Sequence, residues 1–184
     1  MKTMLFAVSL SLAAALAAQE APVIAPTLEI DRLARYEPPA DWSIEHRSQG
    51  TDDLLRFEES SETRIQMRVF GGKGSVHATP ADFLKSPAAS TMGRPPKKLG
   101  AVTVAGLSTR LYESGYPVGL GDPHVKARAP KLGRELFCLV PAGKRFIVLS
   151  FSQDRPGSDP ENAAEIAWVA FLRSFSLREK PRAR

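Results

Sequence analysis

The sequence predicts an α+β domain, an antiparallel β-sheet of about six to seven strands flanked by helices. Three observations carry this expectation. Strand-like segments cluster in residues 42–70 and 99–152, with alternating or wholly apolar faces. Short turns bearing Gly or Pro separate many of them, as antiparallel neighbours require. Two helical segments, each opened by a capping residue and a proline, interrupt and close the series.

The elements follow in order. Residues 18–38 are rich in Ala and Pro and read as a tether, with a short helix around residues 28–35. The single domain is expected over residues 39–178, its ordered part starting near Trp42. Trp42, Ile44 and His46 alternate with Ser43, Glu45 and Arg47, a strand pattern. A turn at residues 49–52 leads to a second strand at 54–58 and a third at 63–70. In the third, Ile65, Met67 and Val69 face one way and Arg64, Gln66 and Arg68 the other, the pattern of a half-buried antiparallel strand. Gly71-Gly72-Lys73-Gly74 ends it. Thr79 then caps a short helix, with Pro80 at its first position, Asp82 in its first turn, and Phe83 and Leu84 turned inward.

Strands at residues 99–104 and 107–113 flank Ala105-Gly106, a hairpin joint. Residues 114–133 read as a long irregular stretch. A second hairpin joins residues 136–140 to 145–152. There Phe146, Val148 and Ser150 alternate with Ile147, Leu149 and Phe151, so the strand is expected to be central and covered on both sides. Asp159, Pro160 and Glu161 open the last helix. Ala163, Ile166, Ala167 and Ala170, widened by Trp168, Val169, Phe171 and Leu172, give it a broad apolar stripe expected to lie deep against the sheet. Residues 179–184 form a basic tail.

Composition bounds the class. With 43% apolar and 24% charged residues in a chain of 184, disorder and collagen-like structure are excluded and one globular domain is expected. Lys2, an apolar run through Ala18 and the small residues Ala15 and Ala17 have the order of a secretory signal peptide over residues 1–17. That run is shorter than the roughly 20 residues of a bilayer span, so no stable membrane span is expected in the mature chain. Removing Lys2 with it lowers the formal charge from +5 by one. The protein is therefore expected to be exported, periplasmic or secreted. Cys138 is the only cysteine, which rules out an intramolecular disulfide, and its apolar run at residues 135–140 marks it as a buried, unreactive thiol.

Two stretches carry a family resemblance. Pro39-Ala40-Asp41-Trp42 resembles the Pro-x-x-Trp entry into the first strand of PsbP-like proteins. Arg145-Phe146-Ile147-Val148-Leu149-Ser150-Phe151, a polar loop, and a helix ending Phe171-Leu172-Arg173-Ser174-Phe175 resemble that family's closing strand and helix. The resemblance spans about residues 36–178. It implies an α/β/α sandwich and an accessory or binding role, and it identifies no catalytic group.

The residues exclude more chemistry than they offer. Gly71-Gly72-Lys73-Gly74 lacks the spacing and the Lys-Ser/Thr end of a phosphate loop. His46, His77 and His124 form no metal-binding pair with each other or with Cys138, and no cofactor is expected. No Gly-x-Ser-x-Gly elbow is present. Glu58, Glu59 and Glu62 read as a solvated acidic patch. The positive charge is dispersed, apart from Lys97-Lys98 and the tail, which argues against nucleic acid as a partner.

Residues 114–133 hold the candidate ligand-binding residues Tyr116, His124, Lys126, Arg128 and Lys131. An aromatic and basic loop suits a phosphate, a carboxylate or an anionic envelope polymer. The competing reading is a solvated loop whose cations only aid solubility. The expected function is a non-catalytic accessory or binding domain contacting a protein or an anionic envelope component. The alternative is a small exported hydrolase using His124 with Asp122 or Glu113.

Overall fold

A computed structural model describes residues 29–49, 52–91, 93–118, 131–155 and 163–178. The expected signal peptide, residues 18–28 of the tether, the capping residues Asp159 to Glu161 and the basic tail lie outside the described residues. Among the described residues, no helix is long and apolar enough to cross a membrane.

The described chain opens with α1 (Glu29–Leu33) and β1 (Ala34–Arg35). Three strands follow, β2 (Ser43–Gln49), β3 (Asp52–Ser60) and β4 (Thr63–Phe70), then α2 (Pro80–Lys85) and a short 3-10 turn, Pro87–Ala89. Four more strands come next: β5 (Lys97–Val104), β6 (Leu107–Val118), β7 (Lys131–Ala142) and β8 (Arg145–Gln153). The described chain closes with α3 (Ala163–Ser174) and β9 (Ser176–Leu177). Seven strands form one sheet in the order β2-β3-β4-β8-β7-β6-β5, and β1 pairs β9 in a separate two-stranded sheet. Every pairing is antiparallel. The expected α+β class, a sheet flanked by helices, is the architecture observed.

Each face of the sheet has its own core. On the first face, Ile65, Met67 and Val69 of β4, Ile147, Leu149 and Phe151 of β8, and Cys138 of β7 pack beneath α1 and α3. On the second face, Phe70, Phe137, Phe146 and Val148 pack beneath Phe83 of α2 and Ala89 of the 3-10 turn. β8 lies at the centre and is covered on both sides, as its two apolar faces require. Thr79 and Asp82 form a reciprocal capping box: the Thr79 hydroxyl accepts from the Asp82 N–H and the Asp82 carboxylate from the Thr79 N–H. At the β5–β6 joint, Ala105 and Gly106 have φ of 53° and 73°. Positive φ at both central residues matches the twist of the paired strands.

Burial of Cys138 pushes its thiol up to about 12. The thiolate is the reactive form, so a thiol reagent at pH 8 should leave the folded protein unmodified and label it fully in denaturant. Rapid labelling of folded protein would contradict this burial.

Four expectations change. Ile30 and Ala34 are buried in the first core, so the ordered part begins well before Trp42. The stripe on α3 divides: Ala164, Trp168, Phe171 and Leu172 face the sheet, while Ile166 is 65% exposed and Ala163 and Ala170 are also exposed. A helix packed on one sheet face buries only one side. Residues 114–118 and 131–133, expected to be irregular, are strand, paired from Ser114↔Glu135 to Val118↔Lys131. Ladder hydrogen bonds override the weak strand propensity of Gly115, Pro117 and Gly133. Pro117 is tolerated because β5 pairs β6 only as far as Glu113, leaving that end of β6 an edge. Finally, the polar side of β4 is not a solvent face: Gln66 is buried and Arg64 and Arg68 are partly so.

Candidate functional site: a polar basin on the second sheet face

Sheet register brings together residues far apart in sequence. Arg56, Gln66, Ser150, Phe137 and Tyr112 form one row across β3, β4, β8, β7 and β6. Glu58, Arg64, Ser152, Glu135 and Ser114 form the next. The helix and 3-10 turn cover the apolar Phe137 end of this face. Beyond them the rows are polar, and they form the floor of a basin.

Tyr116 closes the far side. It stands opposite Gly133, and a Cβ at position 133 would collide with the Tyr116 ring. Glycine therefore lets the ring lie across β7. The Tyr116 hydroxyl donates to Asp154 Oδ1 at 2.6 Å, and the Arg64 guanidinium carbon sits 5.5 Å from the ring centre. Burial and the Asp154 carboxylate raise the phenol pKa well above its usual range, so Tyr116 stays a neutral donor. A cleft of about 290 Å³ opens beside it, lined by Pro87, Ser90, Gly93, Ser114, Tyr116 and Glu135. The wall is held by Thr91, whose Oγ1 accepts from the Gly115 N–H.

Several polar groups here lack close partners. Arg64 donates no hydrogen bond among the described residues: its nearest carboxylate oxygen, on Asp154, is 3.8 Å away, and its side chain is only 25% exposed. Glu135, 15% exposed, has Arg68 at 3.8 Å and the Ser114 hydroxyl at 3.5 Å. Arg68 donates to Gln66 Oε1 at 2.5 Å. Burial pulls the Arg68 pKa down, Glu135 opposes this, and Arg56 and Arg64 add to it. Ser150, 1% exposed, has a hydroxyl with no partner among the described residues, and Arg56 Nε is likewise unmatched. Buried polar groups usually find partners, so this concentration distinguishes the basin from the rest of the sheet.

The candidate residues read from sequence separate here. Tyr116 is in the basin. Lys131 is the first residue of β7, placed by its backbone. His124, Lys126, Arg128 and Asp122 lie outside the described residues. Glu113, paired with Leu136, lies on the first face with Arg134 at 3.6 Å, and Arg134 also reaches Glu165 of α3 at 2.8 Å. The basin residues Arg64, Gln66, Arg68, Glu135, Ser150 and Ser152 carry no site motif in the sequence. Their signal was the polar alternation of β4 and the two serines that interrupt the apolar run of β8. Among the described residues, no cluster of His, Cys, Asp and Glu could hold a metal ion. The basin offers hydrogen-bond donors and acceptors, among them the Ser114 hydroxyl 3.5 Å from the Glu135 carboxylate.

No family model matches the chain, and no curated protein matches it. The PsbP-like family expected from the sequence therefore has no family match behind it. Among solved structures the chain is similar to a protein of Bacteroides thetaiotaomicron VPI-5482, with a TM-score of 0.46 and 11% identity. That match covers 80% of this chain and 46% of the other, so the chain spans under half the length of that protein. It is also similar to LpqN, described as involved in cell envelope biogenesis of Mycobacterium tuberculosis, with a TM-score of 0.42 and 13% identity over 79% of this chain and 83% of that one. At this distance neither likeness carries a functional argument.

Proposed function

We propose that the protein is an exported, non-catalytic binding domain that contacts a cell-envelope component through the basin on the second sheet face. Export rests on the signal-peptide pattern of residues 1–17. The observation that carries the binding site is Arg64: a largely buried guanidinium, beside a cleft, with no hydrogen-bond acceptor among the described residues. An arginine in that position is available for a ligand at little desolvation cost. The chain leaves β6 at Val118 and returns at Lys131, both close in sequence to Tyr116 and Gly133. The basic residues Lys126 and Arg128 belong to that connection.

Retention of purified protein on immobilised envelope extract tests the reading. Arg64→Ala should weaken retention about tenfold or more, the scale of one or two charge-assisted hydrogen bonds. Joint alanine replacement of Lys126, Arg128 and Lys131 tests whether the connection contributes. Retention unchanged by Arg64→Ala in a protein of unaltered melting temperature would remove the basin as the site.

A further inference from the structure

We infer that the basin takes a neutral saccharide unit, one sugar ring recognised through its hydroxyls. This deepens the binding reading and rests on it. Charge is the first argument. Among the described side chains of the floor, Arg56, Arg64 and Arg68 are met by Glu58, Asp154 and Glu135. Among the described residues the charged group lining the cleft is Glu135, so an added anion would sit against a carboxylate. A ligand without net charge leaves the balance intact.

Hydrogen bonding is the second. The basin presents unmatched needs of both signs. Arg64, against the cleft-lining Tyr116 ring, requires acceptors, the cleft-lining Glu135 requires donors, and the Ser90 and Ser114 hydroxyls beside it can do either. A carboxylate or phosphate accepts and leaves Glu135 unserved, whereas an ammonium donates and leaves Arg64 unserved. A hydroxyl does both, and vicinal hydroxyls on a sugar ring can bridge a guanidinium and a carboxylate that stand near each other without touching. Arg68 and Glu135 at 3.8 Å are such a pair.

Size is the third. The cleft of about 290 Å³ lies at the small end of ligand pockets, room for one ring and little more. Its walls are fixed at two points, by Tyr116 held on Asp154 and by the Thr91 contact to Gly115. Fixed walls reduce the ordering cost of binding a weakly held neutral ligand.

Calorimetric titration of the full chain with methyl glycosides of glucose, galactose, mannose and N-acetylglucosamine tests this, beside glucuronate, acetate and inorganic phosphate. At least one neutral glycoside should bind, with affinity nearly constant as salt is raised. Glu135→Gln, which keeps shape and removes the charge, should weaken that binding about tenfold, as should Arg64→Gln. Should Arg64→Gln fail to fold, Glu135→Gln and Ser114→Ala carry the test. Binding of only the acidic probes, weakened steeply by salt, would overturn the saccharide assignment and leave the binding domain standing. So would retention on envelope extract that depends on Arg64 while none of the seven small probes binds. Loss of both retention and probe binding would overturn both readings.

Discussion

Replacing Phe171 with Ala should lower the unfolding free energy by about 3–5 kcal/mol, among the largest effects expected of a single truncation in this fold. Phe171 lies on the sheet side of α3, and its ring centre is 5.6 Å from Phe57 on β3, 6.1 Å from Trp168 and 6.4 Å from Tyr36. One side chain therefore joins the closing helix, the sheet and the segment after β1. Aromatic contacts of this kind add to area burial, and the cavity left by truncation cannot collapse while α3 is held at its neighbours. For a domain whose total stability is of the order of 5–15 kcal/mol, such a loss is a large share. Urea denaturation measures it directly. Val169→Ala, on the outer side of the same helix, should stay within about 0.5 kcal/mol. Equal losses at the two positions would mean that α3 does not pack as described.

The second large effect is expected at Gly133. Adding a methyl group there drives it into the Tyr116 ring, at a cost of about 1–3 kcal/mol for displacing a well-packed side chain. Once moved, Tyr116 cannot keep its 2.6 Å bond to Asp154 or its place beside Arg64, and the far wall of the basin is lost. Gly133→Ala should thus abolish ligand retention while the sheet survives. A double-mutant cycle isolates the cause. Tyr116→Ala removes the ring that the methyl group would strike, so the pair should be less destabilised than the sum of its members. Strict additivity would place the cost of Gly133→Ala in the backbone instead.

Much of the fold was legible because it is written in short-range patterns. The alternation in β4, the two apolar faces of β8 and the Thr79-Pro80-Ala81-Asp82 start of α2 each describe an element without reference to anything distant. The misreadings share one origin. Ile30 and Ala34 are two apolar residues in a Pro- and Ala-rich stretch, and only their docking under the sheet makes them core. Residues 114–118 contain Gly and Pro, and their strand character comes from β7. On α3, apolar residues occur all round, and the packing alone separates Trp168 from Ile166.

The site was less legible for the same reason, more strongly felt. Arg64, Ser152, Glu135 and Ser114 are contributed by four strands and become neighbours only through register. Read along the chain, Arg64, Gln66 and Arg68 are the outward residues of an ordinary half-buried strand. Tyr116 was visible because an aromatic residue in a long connection attracts notice on its own. Gly133, which allows its position, carried no such mark.

The small β1–β9 sheet has a consequence for how the molecule comes together. Ala34 pairs with Leu177, and the Arg178 N–H donates to the Leu33 carbonyl at 2.8 Å, so the first and last described elements form a clasp. A chain made from its N-terminus has no partner for β1 until nearly the whole domain has been synthesised. Closing so long a loop carries a large entropic cost before its few hydrogen bonds return anything. The clasp should therefore form late, and it is held to the seven-stranded sheet by Ile30 and Ala34 in the first core rather than by strand pairing.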